Sequence, residues 1–98
     1  MNFIITAYDA PDCLERRLSV RLAHLDNLNR IAPHLLCCGP MLDEEGNMRG
    51  SALMVEFDSR EELDQFLETE PYVMAEVWEK VTVERMKVVF FDRQKVGN

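Results

Sequence analysis

Arg17, Arg21, His24 and Leu28 follow one another at spacings of four, three and four residues. On a helix advancing about 100° per residue they fall along one line. Side chains three and four apart are neighbours on a helix surface. Two guanidiniums and one imidazole would therefore share a flank. Arginine pairs with carboxylates in a bidentate fork. Imidazole changes charge near neutral pH, which suits proton transfer. The chemistry this pattern points to is acid–base work on a compact anionic molecule. His24 would move the proton, and Arg17 and Arg21 would hold a substrate carboxylate. The competing explanation is structural: arginines snorkel along a core edge and pair with some of the chain's 18 carboxylates.

Glu70 is the second chemical feature. It stands directly before Pro71, where the backbone is pushed extended. A carboxylate reaching an imidazole selects its tautomer and supports the cation that forms. Glu70 is thus the candidate partner of His24; the alternative is one more solvated acid beside those of the helix at 59–68. Tyr72 follows Pro71 and would border the same pocket. Gly39 and Pro40 form a further candidate wall, since a Gly-Pro pair in a strand marks a break, a bulge or a close backbone approach. The alternative for that pair is an ordinary turn. The two histidines, ten residues apart, and the cysteines show no metal-ligand spacing, so no metal is expected. No glycine-rich phosphate loop is present, and no organic cofactor is expected.

These residues need elements to position them. Phe3 to Tyr8 is β-branched and aromatic and predicts a first strand. Asp9-Ala10-Pro11-Asp12 ends it. Leu14 to Ile31 predicts a helix, with a leucine stripe centred on Leu14, Leu18 and Leu25 as its inward side. Pro33 closes it. His34 to Leu42 reads as a second strand interrupted at Gly39-Pro40. Asp43 to Asn47 is a polar loop, and Ser51 to Phe57 a third strand. Asp58-Ser59 offers an N-cap for a second helix through residue 68, with Glu61 and Glu62 in its first turn. Pro71 opens a short helical turn. Val77 to Phe91 predicts one long last strand, and residues 93–98 a polar tail. The order β, α, β, β, α, β is the split βαβ, ferredoxin-like plait, an α+β fold with a four-stranded antiparallel sheet.

Ninety-eight residues make one domain, 1–98. A chain of this size buries roughly 65% of the surface it exposes when unfolded. Helices on one side of a small sheet leave its other side open, and a homodimer would cover it. The net charge of −7 repels phosphate backbones and anionic lipid, so neither nucleic acid nor a membrane is an expected partner. No apolar run approaches the ~20 residues that span a bilayer. Cys13, Cys37 and Cys38 are odd in number, which argues against a disulfide framework and for a reducing, cytoplasmic setting.

At several of these places the chain resembles the YCII-related family. The similar pieces are Leu14 through Leu25 with its arginines and histidine, Gly39-Pro40-Met41, Ser51 through Phe57, and Glu70-Pro71-Tyr72-Val73. The resemblance implies a ferredoxin-like fold, a dimeric α+β barrel and a site centred on a histidine and an aspartate. The histidine carries over to His24. The acid of the family's Asp-Pro-Tyr motif falls on Glu70, one methylene longer. Leu22 stands where relatives often carry proline, and the loop at 43–50 is shorter. A dehydrochlorinase within the family implies elimination or isomerisation as the reaction class. Two functions are then in play: a cofactor-independent enzyme with a His24–Glu70 dyad, and a non-catalytic metabolite-binding or assembly module of the same fold.

Overall fold

The computed structural model describes residues 1–96. Strand β1 (Asn2–Asp9) leads into α1 (Leu14–Arg30), a 3-10 turn (Ala32–His34), β2 (Leu35–Leu42) and β3 (Met48–Glu56). Then come α2 (Arg60–Thr69), the one-turn α3 (Pro71–Met74), β4 (Trp78–Met86) and two short strands, β5 (Phe90–Phe91) and β6 (Gln94–Lys95). The main sheet has the order β2-β3-β1-β4, antiparallel throughout. This is the ferredoxin-like α+β plait.

Alternation along β1 sends Phe3, Ile5 and Ala7 into the core and leaves Ile4 and Thr6 half-buried on the opposite face. Leu53 and Val55 of β3 join them, opposed by Leu63 and Phe66 of α2. The second helix starts as its sequence dictates. The Ser59 hydroxyl accepts from the Glu62 amide at 3.2 Å, and Glu61 and Glu62 lie at the positive end of the helix. Residues 52 and 54 of β3 line the outer face with Ile4 and Thr6, each half-buried.

Four expectations change. Most of the leucine stripe of α1 points the other way: Leu18 and Leu22 are 51% and 78% exposed and Leu14 is exposed too, while Leu25 is half-buried against the core. The buried side is Arg17, His24, Asn27 and Leu28. Polar residues occupy it because each finds a partner inside. Strand β2 runs unbroken through Gly39-Pro40. It is an edge strand, so the missing proline N–H costs no ladder bond that faces a neighbour. The last strand ends at Met86, which pairs with Asn2, the first residue of β1. The chain then forms the β5–β6 hairpin through Asp92 and Arg93, both with positive φ, as a two-residue primed turn requires. The expected polar tail therefore contains a strand, β6; its last residues, 97–98, lie outside the described residues.

Candidate active site

Helix α1 lies over the sheet with Arg17 and His24 facing inward, 2% and 7% exposed. The acid comes from the α2–α3 junction. Glu70 is at once the C-cap of α2 and the N-cap of α3, with φ −72 and ψ 121. That extended geometry is what a residue before proline prefers. It turns the side chain inward, where the carboxylate is completely buried.

Three donors meet this carboxylate. His24 Nδ1 lies 2.5 Å from Oε1, the Tyr72 amide donates to the same oxygen at 3.1 Å, and Asn27 Nδ2 donates to Oε2 at 2.6 Å. An ionised carboxylate only accepts, so the proton of a neutral imidazole belongs on Nδ1. Nε2 then carries the free lone pair. The Tyr72 ring stacks on the imidazole at 4.0 Å and 18°, and Trp78 meets it edge-on at 6.0 Å. Ring orientation is held by a hydrogen bond on one side and aromatic packing on the other.

A second polar network lies beside the first. Arg17 Nη1 donates to both oxygens of Asp9, at 2.9 and 3.0 Å, and Nη2 donates to Ser51 Oγ at 2.8 Å. Trp78 Nε1 also donates to Ser51 Oγ, at 3.3 Å. The guanidinium sits 4.7 Å over the Tyr72 ring, and its buried Nε has no hydrogen-bond acceptor. Burial pushes the Asp9 carboxyl above its usual range even though Arg17 pulls the other way. Burial likewise raises the Tyr72 phenol, with Arg17 and Arg21 opposing.

Between α1 and the sheet lies a cavity of about 230 Å³. His24, Arg21, Ser51 and Tyr72 supply its polar wall, and Leu25, Leu28 and Leu53 its apolar wall. Cys38, Gly39 and Pro40 of β2 form the rim. All seven residues expected from sequence thus border one space or, in the case of Glu70, lie directly behind it. Arg17 differs from its expected role: it is a wall, and its charge is committed to Asp9. Arg21 is exposed at the mouth and carries the guanidinium available to an anion. Asn27, Asp9, Ser51 and Trp78 were not legible. Asn27 sits one turn from His24, at the i+3 spacing that could have signalled it. Asp9 looked like a turn residue, and Ser51 only like the first residue of the third strand. Among the described residues no three His, Cys, Asp or Glu side chains cluster as metal ligands.

Residues 1–87 match the YCII-related domain. The chain is 40% identical to Protein YciI of Escherichia coli O6:H1, covering 92% of this chain and 100% of that protein. It is 34% identical to an uncharacterised protein of Haemophilus influenzae, with the same coverage. Among solved structures it is similar to the 5-chloro-2-hydroxyhydroquinone dehydrochlorinase TftG of Burkholderia phenoliruptrix, in complex with 2,5-dihydroxybenzoquinone. That match has a TM-score of 0.83, 32% identity, and coverage of 89% of this chain and 94% of that one.

Proposed function

The chain belongs to the YCII-related family, and from that premise we propose that it is a small enzyme transferring a proton within a compact, oxygen-bearing anionic substrate. The observation that carries this is the 2.5 Å approach of Glu70 to His24 Nδ1, which leaves Nε2 for the cavity. His24 Nε2 takes a proton from substrate carbon. The C–H electron pair forms a double bond, and either a leaving group departs with its own pair or an adjacent π bond of the substrate opens and its pair takes the proton back from the imidazolium at another atom. The first outcome is elimination, the second isomerisation. Glu70 stabilises the imidazolium and holds the tautomer. Arg21 draws the anionic group to the mouth, and Tyr72 packs the imidazole in place. Gly39 and Pro40 border the bound molecule. A neighbour of 32% identity that is a dehydrochlorinase supports the elimination branch.

The test is solvent-proton exchange. Small hydroxylated quinoids and enolisable carboxylates, 5-chloro-2-hydroxyhydroquinone among them, are incubated with the protein in D2O and followed by proton NMR and chloride release. Exchange or elimination that disappears in His24→Asn supports the proposal. Full turnover by His24→Asn would sink it, and ligand binding with no turnover in either protein would make the domain a binding module.

The assembly we propose is a homodimer that covers the outer sheet face carrying Ile4, Thr6, Ala52 and Met54. Sedimentation at micromolar concentration should give twice the 11.4 kDa chain mass, and a stable monomer contradicts it. No helix among the described residues is long and apolar enough to cross a membrane. The cytoplasm is the proposed location, because all three cysteines are free.

A further inference from the structure

We propose that Ser51 is a substrate-binding residue, and that its hydroxyl donates to a carbonyl, enolate or phenolate oxygen of the ligand. This deepens the proton-transfer function and rests on it. Ser51 is 3% exposed and lines the cavity that His24 lines. A serine hydroxyl has two acceptor lone pairs and one donor. Both acceptor directions are used: Arg17 Nη2 donates at 2.8 Å and Trp78 Nε1 at 3.3 Å. Among the described residues the hydroxyl proton has no acceptor. With two donors converging on the oxygen, the O–H is left the remaining tetrahedral direction, and the open space beside Ser51 is the cavity.

The hydroxyl is also a strong donor for its type. One of the two groups bonded to it is a cation, so electron density is drawn from the oxygen and the O–H is polarised. Arg17 is in turn pinned by both oxygens of Asp9. The chain Asp9–Arg17–Ser51 therefore fixes a polarised donor on the sheet side, facing a base on the helix side. Proton abstraction next to a carbonyl needs those two parts. Nε2 takes the carbon-bound proton, the C–H pair becomes the new C=C bond, and the carbonyl π pair moves to oxygen. Ser51 hydrogen-bonds the developing oxyanion without giving up its proton. The charge then returns to carbon, expelling a leaving group or recovering a proton from His24. The ligand class is a small enolisable or phenolic oxygen compound.

The experiment measures binding of 2,5-dihydroxybenzoquinone by calorimetry and by its visible absorption band. Wild type, Ser51→Ala and Ser51→Thr are compared below their melting transitions. The expected result is roughly tenfold to hundredfold weaker binding by Ser51→Ala, the scale of one hydrogen bond to a charged group. The shift of the bound band should shrink in Ser51→Ala and return in Ser51→Thr, which keeps the hydroxyl. The pH profile of binding should keep its shape in both, since no titrating group has been removed. Binding by Ser51→Ala within about threefold of wild type, or a bound band in Ser51→Ala that matches that of wild type, overturns the inference. If Ser51→Ala binds normally while His24→Asn abolishes proton exchange, Ser51 loses its role and the proton-transfer function stands. A wild type that ignores the probe at millimolar concentration removes the ligand class, and this inference with it.

Discussion

Replacing Glu70 by glutamine keeps the shape of the side chain and takes away one of its two acceptors. The carboxylate accepts from His24 Nδ1 and the Tyr72 amide on one oxygen and from Asn27 Nδ2 on the other. The glutamine oxygen can take the first position and keep two bonds, now without charge assistance. That difference is about 1 kcal/mol for each bond. The amide nitrogen then faces the amide nitrogen of Asn27. Asn27 has no free flip, because its Oδ1 accepts from Arg30 Nη2. A lost charged bond with a stranded buried donor adds roughly 2–3 kcal/mol. Against this, the variant no longer buries a carboxylate charge, a cost of several kcal/mol that glutamine avoids in part. The net expectation is a loss of about 2 kcal/mol, or roughly 8–16 °C in melting temperature for a domain of this size. Thermal denaturation by circular dichroism measures it. Nitrogen-15 NMR of the histidine rings measures the second consequence. With Glu70 present the neutral ring holds its proton on Nδ1; with glutamine the Nε2–H form gains ground, because the flipped amide, its oxygen now accepting from Asn27 Nδ2, donates to Nδ1. An unchanged or raised melting temperature, together with an unchanged tautomer, would refute the reasoning.

Three further outcomes follow from the same geometry. Gly50→Ala puts a Cβ 2.4 Å from the Ala7 carbonyl oxygen and 2.6 Å from the Met41 methyl; the backbone oxygen has nowhere to go, so about 1–3 kcal/mol of stability should be lost, read from urea midpoints. Tyr72 keeps its proton in the folded protein above the ordinary phenol value of 10.0, chiefly because it is buried. The unfolded chain releases that proton first, so this contribution is fully present below pH 10 and lost as pH rises through the folded value. Tyr72→Phe should accordingly show a shallower alkaline fall in melting temperature than wild type, and parallel falls would contradict the shift. Partial desolvation at the cavity rim also holds the Cys38 thiol above its ordinary 9.0, with Cys37 adding to the effect; alkylation of Cys38 by iodoacetamide at neutral pH should be slower than that of a small free thiol, followed by peptide mass spectrometry.

The order of elements was legible because it rests on local signals. Alternation in Phe3–Tyr8, the Ser59 cap with its two glutamates, and Pro33 and Pro71 as stops all act within a few residues. The β5–β6 hairpin was not legible, because Asp92-Arg93 lacks the glycine that usually marks a primed turn. Nor was the end of β4, which depends on where β1 runs out on the neighbouring strand.

The candidate site divides in the same way. Sequence by itself determined that Arg17, Arg21 and His24 share a side of one helix, since 3.6 residues per turn permits nothing else. It also determined that Glu70 is extended, since a following proline excludes the helical region. Only the tertiary structure decided which side of α1 faces the sheet. The leucine stripe made the hydrophobic choice look obvious, yet Leu18 and Leu22 are exposed and Arg17 and His24 are buried. A buried charge is tolerable where its partners are already in position. Those partners, Asp9, Ser51 and Glu70, lie 8, 34 and 46 residues away along the chain. Helical periodicity carries no information across the larger of those separations, and only packing the helix on the sheet brings the partners within reach.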